Sequence, residues 1–203
     1  RMSGQLLLAA AGAPRPPHTH VALGLDGGEE LWFVDPRTFG EVVVYDPGNV
    51  AVEVPELARI GIDPLAPEFT RGELAARLRG RNRAMKALLL DQHVIAGIGN
   101  IYADEILHAA RLRPDRLSDE LSASSERRLH ESIHAVLTGA VAAGGTTLPD
   151  TQYVDLFGDW GSYQHELRVY GRAGERCMTC GTGWVRRTVS AQRSTHFCPR
   201  CQR

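Results

Sequence analysis

The stretch CMTCGTGWVRRTVSAQRSTHFCPRC, residues 177–201, decides how this chain is read. It gathers all four cysteines of a 203-residue sequence into two Cys-x-x-Cys pairs, Cys177/Cys180 and Cys198/Cys201, with 17 residues between them. Each pair presents two thiolates on one side of a tight turn. Two such turns at the base of a β-hairpin can close a tetrahedron around Zn²⁺. Disulfides are the competing pairing, but a sequence with no other cysteine and no signal peptide is expected inside a cell, where disulfides are rare. A thioredoxin-like redox site needs one Cys-x-x-Cys beside a βαβ pattern, and none is present. Four protein ligands leave no open coordination position, so the expected single zinc holds shape and performs no chemistry.

Charge is unevenly distributed around this segment. The whole chain carries a net charge of −1, yet residues 160–203 hold eight arginines against Glu166 and Glu175. Residues 71–86 hold six basic residues against Glu73, whereas residues 1–70 have four arginines against ten carboxylates. Two basic zones inside a neutral total are what a protein that touches a polyanion on one face would show. The alternative is that these arginines only solvate helix and hairpin faces. A length of 203 residues suits one large or two modest domains, and a hydrophobic fraction of 43% is adequate for real cores. No apolar run approaches the roughly 20 residues of a membrane-spanning helix.

The remaining elements follow from periodicity and punctuation. GQLLLAA (4–10), the two stretches flanking Asp26-Gly27-Gly28, and GEVVVYDP (40–47) read as strands, with the Asp-Gly-Gly run as a hairpin turn. A Pro-punctuated connector leads to Thr70-Arg-Gly-Glu73, a capping box opening a helix. NRAMKALLLDQH (82–93), IYADEILHAARL (101–112) and SASSERRLHESIHAVLTGAVAAGG (122–145) read as helices, the last ended by Gly144-Gly145. Residues 146 to about 165 have no period and read as a mobile loop. The zinc hairpin is expected to fold apart from the helices.

Between the first two of these helices lies AGIGN, residues 96–100. Glycines ahead of a helix start expose free N–H groups to a phosphate, and Asn100 can cap the helix or add an amide donor. The plainer possibility is that the two glycines only let two helices cross closely.

Taken together, LLLDQHVIAGIGNIYADEIL, YGRAGERCMTCG and QRSTHFCPRCQ resemble the formamidopyrimidine-DNA glycosylase family, and the likeness runs from RMSGQL through DPRTFG to the last cysteine pair. The resemblance implies an α+β fold: the remnant of an N-terminal β-sandwich (1–54), a linker (55–69), a helix–two-turn–helix domain with a lesion loop (70–160), and a zinc-finger β-hairpin (161–203). It implies one structural zinc on Cys177, Cys180, Cys198 and Cys201. It implies duplex DNA with oxidised bases or abasic sites as partner, a monomer, and a bacterial cytoplasm.

The same resemblance gives roles to single residues. Arg193 corresponds to the family's proton donor in δ-elimination, whose planar fork suits phosphate. Asn100 corresponds to the phosphate-contacting asparagine, and Arg81 and Lys86 to basic positions facing the DNA backbone or lesion. His18 corresponds to a further DNA contact. Met2, Arg37 and Phe39 correspond to a wedge that fills the stack when a base is extruded. Without the family, Phe39 before Gly40 would read as an edge-strand core aromatic. Thr38 departs from relatives that carry a second arginine there.

The resemblance also sets an expectation about chemistry. The family's nucleophile is an N-terminal proline followed by an acidic glutamate, with a lysine further on, and RMSGQL resembles a strand well inside that domain. The chain is therefore expected to keep the DNA-reading parts of a glycosylase/lyase for 8-oxoguanine and formamidopyrimidines and to be inactive alone. The alternatives are a non-catalytic sensor of damaged DNA and the sister branch acting on oxidised pyrimidines.

Overall fold

The computed structural model describes residues 4–149 and 153–203. The chain packs as two compact units, Arg1–Val44 with Gly139–Glu166, and Tyr45–Thr138 with Leu167–Arg203. Both are discontinuous in sequence, and the second takes in the zinc hairpin together with the helices.

In the first unit, β1 (Gln5–Ala10), β2 (Thr19–Leu25) and β3 (Glu29–Val34) form an antiparallel sheet in the order β1-β3-β2. The Asp26-Gly27-Gly28 turn joins β2 to β3, both glycines at positive φ (109° and 82°) that a side chain would resist. Trp32 and Val34 are the buried residues of the central strand. GEVVVYDP is not a strand: it adds to neither outer edge of the β1-β3-β2 sheet, and Val44 is 96% exposed. Three consecutive valines signal β-propensity but lack the alternation of a half-buried strand.

The segment after Gly145 is better anchored than its composition suggests. Thr146 pairs with Ser162, and the Thr147 hydroxyl donates to Tyr153 O (2.8 Å) and accepts from Gly161 N–H (2.9 Å). The Leu8 N–H donates to Leu156 O (2.8 Å), which brings the segment against β1.

The second unit opens with two single-turn helices, α1 (Val50–Glu53) and α2 (Pro55–Ala58). Helix α3 (Arg71–Leu78) starts where its cap predicts, with Thr70 Oγ1 accepting from Glu73 N–H at 3.2 Å. Only half of the capping box forms, because the Glu73 carboxylate turns to Arg77 (2.7 Å). Helix α4 (Met85–Leu89) is shorter than its apolar pattern implies, since Leu90 begins the turn that leads to α5 (Asn100–Ala109). Helix α6 (Ala123–Ala142) ends at Gly144 and Gly145, both at positive φ. Leu74, Leu78, Met85, Leu88, Ile95, Ile106, Leu107, Leu129 and Ile133 build the core. Among the described residues, no helix is long and apolar enough to cross a membrane.

The zinc hairpin, β4 (Arg186–Ser190) and β5 (Arg193–Phe197), belongs to this core rather than standing apart. Helix α5 carries buried Asp104, Glu105 and His108, and each holds part of the C-terminal segment. Glu105 accepts the N–H groups of Arg168 (2.8 Å), Val169 (3.0 Å) and Tyr170 (2.8 Å). Asp104 accepts His196 N–H at 2.8 Å and pairs with Lys86. His108 Nδ1 donates to Gln202 Oε1 (3.2 Å), and its Nε2 accepts from the Thr179 hydroxyl (2.8 Å). The expectation of an independent hairpin fails because β5 and the chain on either side of the hairpin supply the partners of these buried polar groups.

Glu105→Ala strands three N–H donors in the interior. It should destabilise the zinc-loaded chain by at least about 3 kcal/mol, against about 1 kcal/mol for the exposed cap variant Thr70→Ala. Urea unfolding followed by circular dichroism checks the ranking.

Candidate nucleic-acid interface and metal centre

The four cysteine Sγ atoms all lie within 4.8 Å of one another. Cys177–Cys201 and Cys180–Cys198 are 3.7 and 3.9 Å apart, far beyond disulfide bonding. Zinc with ligands at about 2.3 Å requires a tetrahedron with edges of about 3.8 Å, so the thiols are spaced for that ion. The surroundings act on the thiols in opposite directions. Burial pushes Cys198 and Cys201 up, so a bound cation is needed to hold them as thiolates. Backbone hydrogen bonds from the Thr182 and Gly183 turn pull the Cys180 thiol down to about 6. A Cβ on Gly183 would lie 2.7 Å from Cys198 Sγ and 3.2 Å from Cys180 Sγ, so only glycine leaves the sulfurs their space. Gln202 Oε1 accepts Cys198 N–H (2.8 Å), and its amide donates to Leu112 O (2.8 Å), which ties the second knuckle to the end of α5.

The hairpin aims Arg193. It is the first residue of β5, exposed, and paired with Ser190 across the two-residue turn Ala191-Gln192. Both turn residues have positive φ (50° and 58°), the twist a tight hairpin needs, though glycine and asparagine usually supply it. One residue on, Ser194 O accepts the Asn100 side-chain amide at 3.1 Å. That bond sets the tip of the hairpin beside the start of α5.

Asn100 is not the helix cap. Gly99 occupies the N-cap with no side-chain hydrogen bond, and Asn100 is the first helical residue. Its Oδ1 is buried and has no partner. The turn itself is held by Gln92, whose Oε1 accepts Gly97 N–H (2.8 Å) and whose amide donates to Ile98 O (3.1 Å). Gly97, at φ 79°, reverses the chain, and Gly99 faces open space.

Lys86 corrects an expectation. It is 0% exposed, its ammonium bound to Asp104 and to Asn100 O (3.3 Å), so it does not face a ligand. Burial draws its pKa below the usual lysine value, against the opposing pull of Asp104. A lone lysine at the start of an apolar run gives no hint of a carboxylate one helix away. Arg81, by contrast, is exposed, on a loop fixed by the Ser118 hydroxyl bonding to its carbonyl.

In the first unit, Asp35 organises the turn that carries Arg37 and Phe39. Buried, it accepts Gly40 N–H (2.7 Å) and Arg37 N–H (3.2 Å), while its own N–H donates to His18 O (3.0 Å). The loop so formed lifts Phe39 to 51% exposure with the Arg37 guanidinium 5.0 Å from its ring centre. Phe39 is therefore no core aromatic. A Cβ on Gly40 would strike the Phe33 ring at 2.4 Å, which is why glycine follows it. His18 is exposed at φ 66°, and Met2 lies outside the described residues.

Sequence reasoning missed Asp104, Glu105, His108 and Gln202. The available signal was ADEILH: three ionisable residues within five positions of a helix otherwise fit for burial.

The metal centre makes one prediction. Elemental analysis should find one zinc per chain, and Gly183→Ala should lose it to a chelator about 10- to 100-fold more readily, the usual cost of disturbing a ligand's surroundings. Chelation should also weaken the helices of the second unit, because Thr179 and Gln202 reach α5 through His108.

Comparison with known proteins places this geometry. Residues 1–42 match the formamidopyrimidine-DNA glycosylase N-terminal domain, residues 60–152 its H2TH domain, and residues 174–203 the zinc finger found in FPG and IleRS. The formamidopyrimidine-DNA glycosylase of Symbiobacterium thermophilum is 48% identical over 202 residues, covering all of this chain and 65% of that protein. That of Geobacillus kaustophilus is 46% identical, covering all of this chain and 73% of that protein. The crystal structure of Thermus thermophilus MutM (Fpg) superposes with a TM-score of 0.88 at 43% identity, covering 99% of this chain and 73% of that one. Lactococcus lactis Fpg in complex with abasic-site DNA gives 0.87 at 35%, covering all of this chain and 73% of that one. The chain thus spans about two thirds to three quarters of these relatives' length, and it belongs to the formamidopyrimidine-DNA glycosylase family.

Proposed function

We propose that the protein is a base-excision-repair DNA glycosylase with associated AP lyase activity, removing oxidised purines from duplex DNA. In this reading, residues 1–203 grip the lesion and do not supply the nucleophile. The observation that carries it is the Asn100–Ser194 hydrogen bond. It puts Arg193 beside the uncapped N-terminus of α5, so a guanidinium fork and helix N–H groups share one surface. Two complexes of one relative support the choice of ligand: Lactococcus lactis Fpg is known with abasic-site DNA and, as a mutant, with Fapy-dG DNA.

The roles follow from chemistry. An enzyme acting on a stacked base must extrude it, at a cost of a few kcal/mol. Phe39, held out by the Asp35 turn, can enter the vacated stack, and Arg37 can bond the orphaned partner base. Met2 completes that wedge, and His18 and Arg81 contact the backbone. Arg193 and Asn100 hold phosphates flanking the extruded nucleotide. During strand cleavage, the Arg193 guanidinium stabilises the departing phosphate.

Ring opening of the sugar needs an unprotonated amine. Lys86 is the only lysine in the sequence, and it is buried against Asp104. No side chain of residues 1–203 can therefore form the Schiff base. Borohydride should trap no adduct between this 203-residue chain and abasic DNA, while a longer protein, the chain extended at its N-terminus to the length of its relatives, should be trapped. A robust adduct from the 203 residues alone would overturn that assignment. Failure of the longer protein to trap would favour a damage sensor without catalysis.

Arg193→Ala should weaken lesion-DNA binding roughly tenfold to a hundredfold, the cost of one charged hydrogen-bonding partner, and reduce the salt dependence by about one ion. In the longer protein it should slow strand cleavage more than base removal. Arg186→Ala and Arg187→Ala, on the exposed strand β4, should bind nearly normally when all three variants are compared by filter binding to lesion DNA. Equal losses at all three positions would indicate a diffuse basic surface.

A further inference from the structure

A cavity of about 580 Å³ lies in the second unit where α5 ends, α6 begins and the zinc knuckles close. Five arginines line it (Arg111, Arg116, Arg128, Arg200 and Arg203), and Glu120 is the carboxylate among them. Arg116 is paired with Glu120 (3.1 Å). Arg128 is committed to Ala110 O (3.2 Å), Ser124 O (3.3 Å) and the Ser125 hydroxyl (3.0 Å). Arg111, Arg200 and Arg203 are exposed, and among the described residues none has a side-chain partner. Zinc held by four thiolates carries a net charge of −2, which offsets only half of the four positive charges left after Glu120 is counted.

This cavity is not part of the DNA surface described above. Asn100 and Arg111 stand at opposite ends of α5, about 15 Å apart at 1.5 Å per residue. Along the hairpin, Arg193 at the tip and Arg200 at the base are separated by the length of β5, again well over about 10 Å.

The backbone at Arg111 supplies an independent reason to expect a ligand. Helix α5 ends with Leu112 N–H bonded to Leu107 O (2.9 Å) and Arg111 N–H to His108 O (3.1 Å), and Arg111 sits between at φ 59°. That left-handed position at a helix end is normally glycine's, because any other residue pays a steric penalty there. An arginine in it, directed into a cavity with two other unpaired arginines, is strain retained at a site that uses the side chain.

We propose that this cavity is a second phosphate-binding site, distinct from the lesion grip. Its volume falls in the range of small-molecule sites, roughly 300–1,000 Å³, but such sites are mostly apolar. Here Leu112 is the one aliphatic side chain and no aromatic ring is present to stack on a base. The ligand is therefore recognised by dense oxyanion charge: guanidinium forks pair bidentately with phosphate oxygens, and Ser122 and Ser125 at the start of α6 add hydroxyl donors. The phosphates can come from a free polyphosphate or from the backbone of DNA flanking the lesion.

Arg111→Gly separates this role from folding, because it removes the charge and relieves the strained backbone together. Calorimetric titration of the zinc-loaded chain with inorganic tripolyphosphate at low salt should show one saturable site. Arg111→Gly should weaken it by about tenfold while raising the melting temperature, and Arg203→Ala should weaken it without that rise. To distinguish the sources, binding is compared for lesion duplexes of about 12 and about 40 base pairs, which at 3.4 Å per pair end near the lesion grip or run far beyond it. Backbone phosphates as the source require Arg111→Gly to weaken binding of the long duplex alone. A free polyphosphate requires loss of tripolyphosphate affinity with both duplexes unaffected. If Arg111→Gly changes neither tripolyphosphate nor long-duplex affinity, the proposal is overturned.

Discussion

Everything in the second unit depends on the polar face of one ten-residue helix. Asp104, Glu105 and His108 are buried, and each of their strong acceptors or donors is answered by the C-terminal segment or by Lys86. Removing the C-terminal segment from Leu167 onward would leave Glu105 with none of these donors and Asp104 with Lys86 alone, and an uncompensated carboxylate in a low-dielectric interior costs several kcal/mol. Helix α5 and the zinc knuckles are thus mutually required. The metal sets the shape of the knuckles, and the helix sets where they are placed.

That dependence explains how a small hairpin can position an arginine. The Asn100–Ser194 bond reaches from the first residue of α5 to the second of β5, and His108 reaches from its last turn to both knuckles. The hairpin is held at its tip and at its base by the same rod. A site on a loop would drift; one pinned at two points on a rigid helix does not.

Much of this was legible in the sequence, for identifiable reasons. Cysteine spacing, the Asp-Gly-Gly turn, the Thr70 cap and the Gly144-Gly145 stop are local signals, and the structure follows each of them. GEVVVYDP was misleading because propensity does not say whether a segment will lie along a sheet edge, and this one leaves Val44 almost fully exposed. Asn100 was misread as a cap because Gly99 takes that place and the amide has a partner 94 residues away. Lys86 looked like a surface cation for the same reason: its partner, Asp104, lies on another helix, and no spacing rule connects them. What escaped the sequence was consistently the pairing of buried polar groups across long separations.

The arrangement of Lys86 has a consequence for reagents. Of the 23 lysine and arginine side chains, 22 are arginine, so their charge cannot be removed by lysine acylation. The one ε-amine is sealed inside against Asp104. An amine-directed label can reach it only when α4, α5 and the hairpin come apart. The rate of its acylation is therefore a clock for the opening of that core, built into the chain at a single atom.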